Sequence, residues 1–352
     1  MEDKRIRNVL LLRSADLKSS LDAINLLNKK SPNSTVYVLA QEAVAGFLSE
    51  NAKFASIVKF PYRDFNMAVP ASCIPKLPLM DVSFSLYKND GNGYDEVDAF
   101  LVSKIKSREY GSINSSFDIS YGKLSDTKKQ QIIRKGMSLL YGGSLKAKER
   151  SNSFNKTLKK NGSFVVFSGD SEIIIDEGGS FTISPVSICR FGYVPPDWKY
   201  IRDEGKAMAR VQQNATFEIN GSCNFFNGVK LNIFSGAKFA IGNGSYIAFN
   251  SRIFVEKEIK IGANCAISWD VEMFDTDFHR ISVSDDSVRR QGIFIGDNAW
   301  IGSGSRLLKG VHLGNNVIVA AGAVVTGCFP DNSIIGGNPA KLIGMKEGKI
   351  RI

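Results

Sequence analysis

The chain has 352 residues, 43% of them apolar and 23% charged, so it can bury a sizeable core, and disorder as its main state is excluded. Its apolar run near the start, Val9 to Leu12, is too short for a signal-peptide core or a bilayer span, and no later segment reaches about 18 apolar residues, which predicts a soluble, cytoplasmic protein. The net charge of +10 suggests an anionic partner, but no helix-turn-helix, RNP or zinc-finger pattern accompanies it, so no nucleic acid partner is expected.

In chain order, apolar runs alternate with amphipathic stretches: Val9 to Leu12, Ser14 to Lys30, Val36 to Ala40, Gln41 to Asn51, Ile57 to Phe60. That β-α-β-α-β order calls for a parallel sheet with helices on its faces. A further helix is predicted over Ser125 to Leu140, with a Ser N-cap and Gly142 and Gly143 behind it. Residues 1–145 thus read as a Rossmann-like α/β domain, without the G-x-G-x-x-G or Walker pattern on which a nucleotide site could be argued. The opening stretch loosely resembles the first βαβ of heptosyltransferase-type glycosyltransferases. The second such domain those enzymes need is missing, so glycosyl transfer is not expected.

Residues 146–162 are polar and basic, with Lys146, Lys148, Arg150, Lys156, Lys159 and Lys160 against Glu149. They read as an exposed linker, either a solvated connector or a surface that attracts a polyanionic glycan or membrane headgroups. The five cysteines, Cys73, Cys189, Cys223, Cys265 and Cys328, show no CxxC spacing. A disulfide framework or zinc site is therefore not expected, and they are read as small core residues.

From Ile295 the period changes. Ile295, Ile301, Leu307, Leu313, Val319 and Val325 recur every six residues, a spacing that fits neither a helix nor simple strand alternation and points to a solenoid of short strands. Glycines follow at Gly296, Gly302 and Gly314, where turns need a residue free of Cβ clashes. Upstream the register continues through Ile241, Ile247, Ile253 and Ile259, then shifts by two to Ile261, Ile267 and Met273; Ile219, Phe225 and Leu231 mark looser coils. A loop is expected at Tyr193 to Val211, and an insertion, Asp275 to Gly292, breaks the rhythm around FDTDFHRI.

The stretches IKIGANCAISWDVEMFDTDFHRI, GIFIGDNAWIGSGSRLLKGVHLG and NNVIVAAGAVVTGCFPDNSIIGGNPAKLIG resemble the hexapeptide-repeat acyltransferases, and within them the O-acetyltransferases of bacterial polysaccharide and lipopolysaccharide biosynthesis. The resemblance covers residues 163–344 and implies a left-handed parallel β-helix of hexapeptide repeats, followed by a basic tail at 345–352. It places the family's catalytic base, a loop histidine, at His279; imidazole suits removal of a proton from a sugar hydroxyl near neutral pH. Asp277 or Asp275 could hold the imidazole's tautomer, a backbone carbonyl could do so equally well, and turn formation is a competing reason for both aspartates. Asp275 is also placed toward the acceptor.

The same resemblance puts Trp300 beside the acetyl-CoA channel, and Ser303, Ala321, Gly322 and Thr326 along the pantetheine arm. Lys341 would supply charge for the coenzyme phosphates, because Gly327 stands where the family has a lysine. Asn250 falls near the acceptor-binding asparagine, although a coil corner would also favour Asn for its tolerance of positive φ. His312 should point outward on a coil. Two histidines are too few for the three-histidine zinc site of the carbonic anhydrases built on this fold, so no metal is expected.

The implied protein is a homotrimeric acetyl-CoA-dependent O-acetyltransferase acting on a carbohydrate acceptor, with direct transfer in a ternary complex and possible peripheral attachment to a membrane-bound polysaccharide assembly complex. N-acetylation of an amino sugar nucleotide and a non-catalytic scaffold remain the alternatives.

Overall fold

The computed structural model describes residues 8–12, 15–62, 65–86, 95–158, 161–195, 205–279 and 289–347. Two compact units, Met1–Gly143 and Ser144–Ile352, divide the chain.

The first unit runs β1 (Asn8–Leu12), α1 (Leu17–Lys30), β2 (Thr35–Gln41), α2 (Glu42–Asn51), β3 (Ser56–Phe60), β4 (Met80–Leu86), α3 (Asp95–Lys104), β5 (Ser107–Ile113), β6 (Ile119–Gly122) and α4 (Asp126–Tyr141). Its six-stranded sheet has the order β3-β2-β1-β4-β5-β6, parallel except for the antiparallel β5–β6 pair. The reversal of direction at β1 is the doubly wound arrangement expected from the alternating pattern. Val9, Leu11, Val38, Val82 and Phe84 of the sheet pack with Ala23, Ile24 and Leu27 of α1. Helix α4 begins and ends as its sequence indicates: Lys128 N–H donates to Ser125 Oγ, and Gly142 closes the helix at φ +60°.

The second unit opens with a correction. The basic stretch expected as a linker contains helix α5, Leu145–Thr157, whose N-cap Ser144 accepts from Ala147 N–H. Ala147 and Ser151 are buried one turn apart, and Phe154 packs edge-on against Phe167 and Phe181. Arg150 donates to the carbonyls of Gly169 and Ser171, while Asn155 exchanges two hydrogen bonds with Val165. Lys146 and Lys156 are exposed, and the opposite side of the helix caps the first coil of the solenoid, shielding a core that would otherwise end open to water.

The solenoid has three faces: face 1 from Phe164–Phe167 to Ala340–Met345, face 2 from Glu172–Ile175 to Val324–Val325, and face 3 from Ser180–Ile183 to Cys328–Phe329. Strands stack parallel from coil to coil, and among the described strands of the solenoid the last pair, Ser333–Gly337 with Ala340–Met345, is the antiparallel one. Register explains the six-residue period. Ile295 pairs with Leu313 and Ile301 with Val319, each the third aliphatic along the ladder from its partner, so a regular coil is three hexapeptides. The looser coils are longer than this, with Ile219 paired to Ile241 and Ile241 to Ile261. Every aliphatic of the predicted ladder is buried in one continuous core, each contributing about 1.5–3 kcal/mol of transfer free energy.

The corner between faces 3 and 1 shows why the sequence reads G-A-N, G-D-N and G-N-N there. Asn264, Asn298, Asn316 and Asn332 all have φ between +54° and +65°, a region Asn tolerates better than most residues. The glycines before them are needed for another reason. A Cβ on Gly262 would lie 2.6 Å from the carbonyl carbon and oxygen of Gly296 on the next coil, so glycine sets how closely coils stack. No described helix is long and apolar enough to cross a membrane.

Candidate active site

The insertion leaves the solenoid at the corner between faces 2 and 3. Strand Glu272–Phe274 closes face 2, Ile293–Ile295 opens face 3, and Ile261 pairs with Ile295 across nearly twice the sequence interval of a regular coil. The chain returns beside itself: Thr276 and Arg290 form an antiparallel bridge, Asp277 N–H donates to Arg289 C=O at 3.1 Å, and Gln291 N–H donates to Asp275 C=O at 3.0 Å. An Arg289–Glu256 ion pair at 2.7 Å ties this stem to the preceding coil. His279 stands exposed at the far end of the described part of the stem. Arg280 and Ile281, the rest of the motif, lie outside the described residues.

Asp275 corrects the sequence reading. It is fully buried, and its carboxylate accepts from the backbone N–H groups of Glu256 (2.7 Å), Lys257 (2.8 Å) and Glu258 (2.8 Å). Burial pushes its pKa up, and the three donors pull against that shift. With both oxygens engaged inside the corner, Asp275 is a brace for the preceding coil and cannot meet an acceptor or the imidazole.

Asp277 pairs with Lys309 on the following coil. Among the described residues its carboxylate makes no hydrogen bond to His279; the link between the two is backbone, His279 N–H to Asp277 C=O at 2.6 Å.

The residues expected to line a coenzyme fall in separate places. Trp300 projects from face 1, 47% exposed, its Nε1 donating to Ser268 Oγ at 3.2 Å. Beside it the outward positions Ser268, Gly302 and Ala320 form a floor of small residues. Ser303, Ala321 and Gly322 gather at the adjoining corner of faces 1 and 2, where Gly322 N–H donates to Ser303 C=O at 2.9 Å and the space above Gly322 is open. Thr326 is exposed just past Val325, at the corner where the His279 stem leaves. Lys341 is exposed on the edge strand of face 1, opposite Gly336. One side of a coil, about six residues at ~3.3 Å each, or roughly 20 Å, separates the two corners.

Trp269, which the sequence reading missed, is 43% exposed at the corner of faces 1 and 2. It stands two residues after the inward Ile267, as Ser303 follows Ile301 and Ala321 follows Val319, and that offset was the signal available. Asn250 has φ +60° in the same corner row as Asp270, Gly304 and Gly322, all at positive φ. Its conformation accounts for the asparagine without an acceptor.

His312 is exposed on face 3 with its ring 4.7 Å from that of Phe294, as the outward reading expects. Cys189, Cys223 and Cys265 are buried; Cys328 is exposed and Cys73 half-buried, which corrects the core assignment for those two. Burial pushes the Cys265 thiol up to about 11, so the cysteine on the coil before the insertion is no nucleophile. No group of three or more His, Cys, Asp or Glu suited to a metal ion occurs among the described residues.

Residues 292–327 match the family model described as bacterial transferase hexapeptide (six repeats). The chain is 27% identical over 157 residues to the Escherichia coli protein named "Putative lipopolysaccharide biosynthesis O-acetyl transferase WbbJ", covering 41% of this chain and 74% of that one. It is 33% identical over 93 residues to a galactoside O-acetyltransferase of Lactococcus lactis, covering 25% and 40%. With the Saccharomyces cerevisiae protein named "Putative acetyltransferase YJL218W" it shares 47% identity over 51 residues, 14% and 26% of the two chains. The chain thus spans between about a quarter and three quarters of the length of these relatives.

Proposed function

We propose that this hexapeptide-repeat protein, whose relatives are named acetyltransferases, is an acetyl-CoA-dependent O-acetyltransferase that acts on a sugar hydroxyl of a bacterial surface polysaccharide or its precursor. The observation that carries the reading is the exposed imidazole of His279 on a braced stem at a solenoid corner, in a chain that shares sequence with O-acetyltransferases.

Acetyl-CoA supplies an acyl thioester with a thiolate as leaving group. The floor of Ser268, Gly302 and Ala320 beside Trp300, with open space above Gly322, suits a thin, largely apolar arm lying flat on the coil. Lys341, exposed on the same face, would hold phosphate charge. His279 takes the proton of the acceptor hydroxyl as the oxygen attacks the acyl carbon, and returns it to the departing sulfur. With Cys265 buried and protonated, direct transfer in a ternary complex is the economical route.

The separation of His279 and Thr326 from Ser303, Ala321 and Gly322 supports a homotrimer in which the stem of one copy faces the groove of the next, a heterologous contact that closes on itself. Release of free CoA thiol from acetyl-CoA, with and without a panel of polysaccharides and nucleotide sugars, tests the reading. His279→Ala should lower acceptor-dependent release by roughly 10²–10⁴-fold and leave acetyl-CoA binding intact. Near-wild-type turnover in that variant would refute the mechanism. Hydroxyl and amine acceptors offered side by side separate O- from N-acetylation, and absence of both release and acetyl-CoA binding would favour a scaffold.

A further inference from the structure

Phe278, immediately before His279, has φ +57°. The His279 N–H closes onto the Asp277 carbonyl two residues back, at 2.6 Å. An i to i+2 bond around a residue of positive φ is the rarer, strained form of the γ-turn, and a bulky aromatic is an unusual occupant of that backbone region. Elsewhere the later coils fill it with Asn250, Asn264, Asp270, Asn298 and Asn316. A ring at this position runs against local preference, so something beyond the turn must hold it there.

That support is visible. The Phe278 ring packs against Phe234, Phe254 and Phe274, with centroids 6.3, 5.9 and 6.0 Å away and edge-to-face angles of 65°, 82° and 65°. Phe254 and Phe274 are register partners on neighbouring strands and point outward from face 2, so the stripe is part of the rigid solenoid. Phe278 N–H also donates to Thr276 Oγ1 at 3.0 Å, and Thr276 belongs to the bridge with Arg290. On the same side of the turn, Lys309 holds the Asp277 carboxylate. The backbone entering the turn and the ring at its centre are thus fixed, and none of these contacts uses the imidazole.

We propose that Phe278 is a positioning residue for His279: its ring, anchored on the Phe234–Phe254–Phe274 stripe, holds the strained turn that aims the imidazole. The inference rests on the acetyltransferase reading of His279. It assigns the orienting role expected of Asp277 to an aromatic anchor, with the Lys309–Asp277 pair fixing the residue before it. The ring remains 43% exposed, so its loss should disturb aim more than folding. Small displacements of a catalytic group are costly, because bound geometry must sit close to the reacting one.

The test compares Phe278→Asn, which accepts positive φ but removes the ring, with Phe278→Tyr, which keeps it. Steady-state kinetics use acetyl-CoA and whichever panel acceptor supports thiol release in the wild type. We expect Phe278→Asn to lower kcat roughly ten- to hundredfold with the KM for acetyl-CoA and the Tm close to wild type, and Phe278→Tyr to restore kcat. Phe254→Ala, which removes a supporting ring and leaves the turn sequence untouched, should lower kcat in the same direction and guards against a Phe278 variant that fails to fold. A kcat for Phe278→Asn within about twofold of wild type, or an equal loss in Phe278→Tyr, would overturn the proposal.

A second readout does not need activity. With two histidines in the chain, the imidazole Cε1–H signals are assigned by one His312→Gln variant. The His279 signal should gain the relaxation of a freely rotating ring in Phe278→Asn and keep its wild-type behaviour in Phe278→Tyr; no change in the Asn variant refutes the anchor. Absence of thiol release by the wild type would instead count against the acetyltransferase reading, and the histidine signals would still decide whether Phe278 orders the ring.

Discussion

Replacing Asp275 by alanine removes the acceptor of three backbone N–H groups, those of Glu256, Lys257 and Glu258. Hydrogen bonds to a charged group contribute about 1.5–3 kcal/mol each, and a stranded buried donor costs about 1–3 kcal/mol. The three donors are only partly buried, so water recovers some of this, and a loss of about 3–5 kcal/mol is expected for the second unit. Asparagine, with one acceptor oxygen in place of two, should fall between alanine and wild type. Chemical denaturation followed by the fluorescence of Trp269 and Trp300 measures the loss, and thiol release measures turnover in the same preparations. A brace predicts that stability and kcat fall together. A substrate contact predicts a raised acceptor KM at unchanged stability, and that result, or a loss below about 1 kcal/mol, would refute the reasoning.

The pH dependence follows from the direction of the shift. Burial raises the Asp275 pKa above its ordinary 3.8, so the folded state takes up this proton at higher pH than the unfolded chain. The associated stability is fully present below the unfolded value and is lost as pH rises through the folded one. The advantage of wild type over Asp275→Asn should therefore widen as pH falls from neutral toward about 4.

Two further outcomes test the solenoid itself. Gly262→Ala places a methyl group 2.5–2.6 Å from the Gly296 carbonyl and Asp297 Oδ1 of the next coil, and since backbone cannot swing aside, a loss of about 2–3 kcal/mol is expected, read as a lowered denaturation midpoint. Iodoacetamide at pH 8 should label Cys328 quickly in the native protein, whereas Cys189, Cys223 and Cys265 react only after unfolding; mass spectrometry of digests reports both.

The regular coils were legible in the sequence because one interaction repeats without interruption: Ile295 through Val325 each face the same core, and every third hexapeptide returns the chain to the same face. Helix α4 was equally legible, since Ser125 and Gly142 act locally. Helix α5 was not. Its buried face is Ala147, Ser151 and half-buried Phe154, too small and too polar to stand out from six surrounding basic residues. The place where the chain leaves the solenoid beside His279 was legible from the broken rhythm. The role of Asp275 was not, because its partners are backbone groups 17 to 19 residues earlier that only the coil brings near. Asp277 was drawn away from its expected partner by Lys309, 32 residues later in sequence and adjacent in the stack.

A coil that comes back into phase after three hexapeptides works as a ruler with a fixed pitch. Deleting one whole regular coil, such as the stretch from Ile295 to His312, would draw the later coils nearer by one strand spacing, ~4.8 Å, and leave each of their corners facing its original direction. Deleting a single hexapeptide would instead turn everything beyond it by one face. Distance along the axis and direction around it can therefore change independently in this chain. That stretch carries Trp300, Ser303 and Lys309, so its removal would take with it the indole of the groove and the cation paired with Asp277, while the aromatic stripe and the buried carboxylate of Asp275 belong to the coils before it.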